Sequence, residues 1–301
     1  MNTKISDKTG FLFYNLWKKL SDKQFLLSVE LIKKRLKINN FKEKNFKNKT
    51  ILDVGCGSGR WCVLAAQLGA KRIVGVDSSV KNIRFNKNKF KKIKNIKFIY
   101  GDNTSLKIKN NFSDITISQG VIHHTTDMFN SLNELIRVTK KNGKIIMLVY
   151  GEHGFRWSLI KKLRPFAFLL GKKEIISAMK KNKFPANNIK HFIDDLFVPI
   201  QYQTDLKHLL EYLKNKTKKV KVWNKNRTLD HEENIQNYII EFYKLKKIFS
   251  KIRHEHYKKI CLKIINNYIG EINLLNKTKL SKYKKKSLII GQGNHRIEIT
   301  K

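Results

Sequence analysis

Three prolines, three cysteines and 15 glycines are few for a chain of 301 residues. The cysteines, Cys56, Cys62 and Cys261, have no CxxC spacing and no evident pairing. That odd, small number points to reduced thiols rather than a disulfide framework or a zinc site, and no structural metal is expected. No apolar run approaches the ~18 residues of a membrane span. The opening stretch MNTKISDKTG is polar and lacks an apolar core, so no signal peptide is expected and a cytoplasmic location is. Carboxylates are scarce too: 23 Asp and Glu face 64 Lys and Arg, for a net charge of +41.

Arginine is also short, supplying 10 of the 64 basic residues. A surface built for phosphate recognition is expected to favour arginine, whose planar fork pairs with phosphate bidentately. Lys, Asn and Ile share AT-rich codons, and the lysines spread over the whole chain. The charge therefore reads first as a solvated lysine surface. Nonspecific polyanion binding at low salt is expected, and no specific nucleic-acid partner.

The organisation is α/β. Residues 10–40 carry helical spacing, with Ser21 as an N-cap. Strands and helices then alternate: TILDV (50–54), a helix closed by Gly69, RIVGVD (72–77), a basic helix, NIKFIYGD (95–102), FSDITISQG (112–120), a helix from Asp127 stopped by Gly143, and KIIMLVY (144–150). Five such strands predict a doubly wound, mostly parallel sheet. Ligands in such sheets bind beyond the carboxyl ends of the strands. Residues 151–205 read as helices and loops, 205–224 as one helix and one strand, 231–280 as Lys-rich helix, and 287–299 as a hairpin adding late strands.

The glycines that do occur are concentrated in ILDVGCGSGRW (51–61). Glycine adopts positive φ freely, and without a β-carbon it lets a ligand touch backbone. No G-K-[ST] follows, which excludes a P-loop. Read as a dinucleotide fingerprint, the pattern puts Arg60 or Cys62 where a small residue belongs. Asp53 just before the turn would repel a pyrophosphate and suits a ligand with a positive end. Asp77 ends the second strand, where a carboxylate can accept both ribose hydroxyls. Asp102 ends the third, where an acid or amide can meet an adenine edge. Three acids on neighbouring strand ends describe a nucleoside without phosphate and with a cationic tail: S-adenosylmethionine.

LDVGCGSGRW, VGVDSS, IYGDNTSL, SQGVIHHTTD and LIRVTKKNGKIIMLVYG resemble the successive motifs of class I S-adenosylmethionine-dependent methyltransferases, most closely the type 11 and type 25 domains. The resemblance covers about residues 45–150. It implies a Rossmann-like fold with Gly55, Gly57 and Gly59 against the cofactor and Asp53 near its amino-acid end. It further implies Asp77 on the ribose with Ser78 beside it, Asp102 and Asn103 at the adenine, and Gln119 and Gly120 lining the methionine and the methyl.

Methyl transfer from a sulfonium needs alignment and exclusion of water, and a base only where the acceptor must lose a proton early. His124, in the His123-His124 pair past strand four, is the candidate base; the other reading makes the pair loop scaffold. No N-P-P-Y or D-P-P-Y follows strand four, which argues against base-amine and glutamine-amide acceptors, and no Pro-Cys nucleophile exists for cytosine C5. A small-molecule, lipid-like or carrier-bound acceptor is expected. An RNA methyltransferase and a non-catalytic cofactor-binding protein are the alternatives. Four segments are expected: a helical cover (1–45, with Phe11, Tyr14 and Trp17), the cofactor-binding core (46–150), a helical insertion over the acceptor (151–205), and completion of the sheet with a Lys-rich insertion (206–301).

Overall fold

A computed structural model describes residues 2–17, 21–223 and 235–301. Helices α1 (Asn2–Trp17) and α2 (Asp22–Ile38) open it. The Ser21 hydroxyl accepts the Gln24 N–H, and the Gln24 side chain accepts the Ser21 N–H. That reciprocal capping box stops α2 from extending toward α1. Leu20 and the side chains of Leu16 and Trp17 lie outside the described residues, as do residues 231–234.

The alternation follows as β1 (Thr50–Val54), α3 (Arg60–Gln67), β2 (Arg72–Asp77), α4 (Val80–Lys89), β3 (Ile96–Tyr100), β4 (Ser113–Gln119), α5 (Met128–Val138) and β5 (Thr139–Tyr150). Next come α6 (Phe155–Leu170), α7 (Lys172–Lys181), α8 (Ala186–Phe197), α9 (Leu206–Lys214) and β6 (Lys219–Val222). The chain closes with α10 (Ile235–Ser250), α11 (Glu255–Lys277), α12 (Lys282–Ile290) and β7 (Asn294–Thr300).

Among the described residues these strands form one sheet in the order β3-β2-β1-β4-β5-β7-β6. β1 to β5 run parallel, and β7 lies antiparallel between β5 and β6. Alternation along each strand feeds two cores. Ile51, Ile73, Ile117 and Ile146 pack on one face with Phe25 and Val29 of α2 and Leu64 of α3. Leu52, Val74, Ile145 and Met147 pack on the other with Leu132 and Leu135 of α5 and Leu209 of α9. Because β1 is central, its carboxyl end is flanked by β2 and β4, and the glycine turn sits between them.

Two local expectations are corrected. The helix from Asp127 stops at Val138, not Gly143, because Thr139 already pairs with Ser113 and β5 begins there. Residues 287–299 are not a hairpin. Ser281 caps α12, and SLII continues that helix so that Ile289 and Ile290 are buried; Gly291 then takes positive φ and one strand, β7, follows.

The chain divides into two compact units: Met1–Tyr150, Pro199–Leu229 and Asn294–Lys301 make the first, Gly151–Val198 and Asp230–Gly293 the second. The second unit is helical among its described residues. Its α6 carries the basic, aromatic stretch FRWSLIKKLRPFAFLL, and it is a core helix: Trp157, Leu159, Ile160, Leu163 and Ala167 are buried. No helix among the described residues is long and apolar enough to cross a membrane.

Candidate functional site

Three parallel strands end side by side, and most of the candidate residues stand on those ends. β1 delivers Asp53 and runs into the turn ahead of α3. Gly55, Gly57 and Gly59 adopt φ of +78°, +50° and +77°. The resemblance assigns the three glycines one role; their surroundings divide them. A β-carbon on Gly55 would collide with Val121, and one on Gly59 would come within 2.9 Å of Phe90. On Gly57 it would meet nothing nearer than 4.0 Å. Gly55 and Gly59 thus let the turn pack on its neighbours, while Gly57 presents bare backbone to open space. Gly55→Ala is therefore expected to cost about 2–4 kcal/mol, left-handed backbone and overpacking together. Gly57→Ala should fold with a loss of only about 1–2 kcal/mol. Thermal melting of both variants decides it, and equal losses would refute the division.

Asp77 is the last residue of β2 and is buried. Its Oδ2 accepts the Gly57 N–H at 2.8 Å, and its Oδ1 accepts the Ser79 N–H at 2.8 Å and the Asn82 side-chain amide at 3.1 Å. Burial raises its pKa against the pull of those bonds. The N-cap of α4 is Ser79, whose hydroxyl accepts the Asn82 N–H. Asp77 therefore does more than support a helix start: it ties β2 to the glycine turn and retains lone-pair capacity on Oδ2. Ser78 beside it is half-buried.

Asp53 is 2% exposed and accepts the Cys62 thiol at 3.4 Å. Burial pushes its carboxyl up to about 7; the Cys62 bond opposes that, Asp77 adds to it, and Arg60 opposes it. Its folded value lies above the ordinary 3.8, so the stability it contributes is fully present below that value and is lost as pH rises through about 7. Asp53→Asn is therefore expected to melt higher than the parent at pH 8 and to gain much less at pH 5. Parallel melting curves at the two pH values would contradict the assignment.

Asp102 lies two residues past β3. Its Oδ1 accepts both the backbone N–H and the hydroxyl of Thr104, each at 2.8 Å. Asn103 is buried and its side-chain oxygen has no partner among the described residues; the same holds for the Ser58 hydroxyl in the glycine turn. Buried polar atoms left unpaired are costly, so each marks a place where a donor or acceptor would be welcome. Gln119 ends β4, half-buried, and Gly120 follows at φ +75° with its N–H on Leu148 O at 3.1 Å.

Beyond β4 a 3-10 turn, Ile122–His124, buries both histidines. His124 Nδ1 is 2.8 Å from the Ile200 carbonyl. A carbonyl only accepts, so the proton sits on Nδ1 and Nε2 is the basic atom of the neutral ring. His123 is fully buried, neither of its ring nitrogens has a partner among the described residues, and burial drives its pKa well below the ordinary value. It lies against Tyr150 (ring centroids 3.9 Å apart) and His124 (4.2 Å). The Tyr202 N–H donates to the His123 carbonyl at 2.8 Å. Sequence reading passed over Tyr150, Ile200 and Tyr202 because nothing local links them to residue 123.

Helix α1 touches both flanks of this end of the sheet. Gly10 sits against Ser78 and Ser79 after β2; a β-carbon there would be 3.0 Å from the Ser79 β-carbon. Phe13 packs on His124 after β4 (centroids 5.3 Å apart), and Tyr14 on Phe85 of α4 (6.5 Å). Phe11 is largely exposed, under the Lys81 ammonium at 4.3 Å.

A Rossmann-like sheet with one antiparallel strand set between two others, and a glycine turn tied by Asp77 to the neighbouring strand, defines the class I methyltransferase architecture. Residues 45–211 match a family model described as a methyltransferase domain, and the chain belongs to that family. Over 155 residues it is 32% identical to the ubiquinone biosynthesis O-methyltransferase of Pelagibacter ubique, spanning 50% of this chain and 60% of that protein. Over 111 residues it is 35% identical to the demethylmenaquinone methyltransferase of Staphylococcus saprophyticus, spanning 36% of this chain and 47% of that one. The chain thus spans less than two thirds of the length of either relative. The solved YcgJ protein of Bacillus subtilis is 15% identical, with a TM-score of 0.45 over 85% of this chain and 92% of that one.

Proposed function

We propose that this protein is an S-adenosylmethionine-dependent methyltransferase whose acceptor is a small, lipid-like molecule. The observation that carries the reading is Gly57, bare backbone facing open space, with its N–H held by the buried Asp77. The donor set suits the ligand. Asp53 would hold its cationic amino-acid end, Asp77 with Ser78 its ribose, and Asp102 with the unpaired Asn103 oxygen its adenine edge. Gln119 and Gly120 would line its methionine. S-adenosylmethionine, when bound, supplies a methyl already activated on a positively charged sulfur.

The chain's own residues then need only hold, orient and exclude water. The His124 ring, fixed by the Ile200 carbonyl, presents Nε2 as the atom able to take a proton from an acidic hydroxyl or carbon acceptor. Aromatic surface from Phe13 and Tyr150 surrounds that ring (centroids 5.3 and 5.5 Å away) and favours an apolar acceptor. The two relatives named for quinone biosynthesis support the same acceptor class.

Calorimetry should show S-adenosylhomocysteine binding and no NAD binding. Asp77→Asn should weaken that binding by about 1–3 kcal/mol, the cost of a charged hydrogen-bond partner. Labelled cofactor should mark a lipid extract and leave bulk RNA unlabelled. Tight NAD binding would overturn the cofactor, and label confined to RNA would overturn the acceptor.

A further inference from the structure

The second unit carries a surface that the proposed methyl transfer does not use. Between Glu271 and Glu298 the sequence has no carboxylate, while Lys277, Lys279, Lys282, Lys284, Lys285 and Lys286 fall within ten residues. This run forms the end of α11, the link to α12, and α12 itself. Apolar side chains stand out among the lysines. Leu274 is 61% exposed, Leu280 38%, Tyr283 81% and Leu288 42%.

Along α12 the inward side is set by the buried Ile289 and Ile290, with Lys285 and Lys286 half-buried. At 100° per residue the opposite arc carries Tyr283, Ser287, Lys284 and Leu288, all exposed. One aromatic and one aliphatic side chain therefore flank a lysine on the outward face. Leu280 stands just before the Ser281 cap, and Lys285 reaches back to the Asn276 carbonyl at 3.1 Å, closing the link against α11.

We propose that this helix-turn-helix corner docks on an anionic phospholipid surface. Charge complementarity supplies the attraction: a lysine cluster without a carboxylate is drawn to a negative leaflet. The exposed Leu280, Tyr283 and Leu288 supply what charge alone does not. Aliphatic side chains enter the boundary between headgroups and acyl chains, and tyrosine keeps its hydroxyl at the headgroups while its ring goes in. Nucleic acid fits less well. No arginine occurs between Arg253 and Arg296, so the corner has no planar fork for phosphate. Two exposed leucines have nothing to do on a phosphate backbone.

The test is sedimentation of the full chain with vesicles at about 0.15 M ionic strength. One set is phosphatidylcholine alone; the other contains about one third phosphatidylglycerol. Binding should be at least ~10-fold tighter to the anionic vesicles. Tyr283→Ser with Leu288→Ser leaves the net charge unchanged and should weaken it by ~5-fold or more. Lys282→Glu with Lys284→Glu should weaken it at least as much. All four positions are exposed, so both variants should melt like the parent; if the apolar pair does not, Leu280→Ser, outside the helix, replaces it. Equal or absent binding to the two vesicle types overturns the proposal. Unchanged binding by the apolar variant also overturns it, leaving only polyanion adsorption. Displacement from the vesicles by RNA at matched phosphate, with the apolar variant unaffected, would assign the corner to nucleic acid instead.

Discussion

Removal of residues 1–20 is expected to cut methyl transfer by at least ~100-fold while S-adenosylhomocysteine still binds. Helix α1 is the physical cause. It rests on Ser78 and Ser79 on one side of the glycine turn and on His124 on the other. Its buried positions are few, Thr9, Gly10 and Leu12 among those described, so its loss should leave the sheet intact. α2 keeps its own start, because the Ser21 capping box is local. On the proposed reading, the truncation takes away the apolar wall at Phe13, and with it exclusion of water and orientation of the acceptor. Phe13→Ala should reproduce part of the effect, mainly on kcat. The measurements are turnover and calorimetric binding on the same folded sample. Full activity in the truncated protein would remove α1 from the site.

Arg156→Met is expected to destabilise the protein by about 3–5 kcal/mol. The Arg156 guanidinium is buried. It donates from Nε to Glu241 at 2.8 Å and from Nη2 to Asp195 at 2.6 Å, and its Nη2 lies 3.1 Å from His191 Nε2. It also lies 4.4 Å from the centroid of the Trp157 ring. Burial works against its charge; Asp195 and Glu241 outweigh burial and hold it protonated. Asp194 alongside is pushed up to about 7, by burial and then by Asp195. Removing the cation leaves the buried Asp195 and Glu241 carboxylates with only the partly exposed His191 ring, 3.5 and 3.1 Å away, between them. Glu241→Gln added to Arg156→Met should restore part of the loss, because one of the stranded charges is gone. Urea unfolding of parent, single and double variants provides the test. A single variant within about 0.5 kcal/mol of the parent would show the network to be neutral, as surface pairs often are.

The alternation of strands and helices was legible because each strand of the core is a short apolar run bounded by glycine or a polar cluster, and each helix keeps its own spacing. The Ser21 cap was legible for the same reason: both halves of the capping box lie within four residues. The α12 region was misread because SLIIGQGNHRIEI holds helical and strand character at once, and only burial of Ile289 and Ile290 selects helix for its first part. The end of α5 was misread because pairing of Thr139 with Ser113 overrode the glycine stop at Gly143.

By itself the sequence determined the doubly wound class and brought Asp53, the glycine turn, Asp77 and Asp102 into one frame, because a parallel sheet carries its strand ends to one edge. Only the tertiary structure decided which glycine faces open space. Val121 and Phe90 are 66 and 31 residues from the glycines they press upon, and no local pattern encodes such a contact. Tertiary structure also set β7 between β5 and β6 and fixed the proton of His124 through a carbonyl 76 residues away. Spacing along a chain reports which residues share a strand or a helix face. It does not report which distant side chain fills the space beside them, and that space decides whether a bare backbone is a packing device or a place for a ligand.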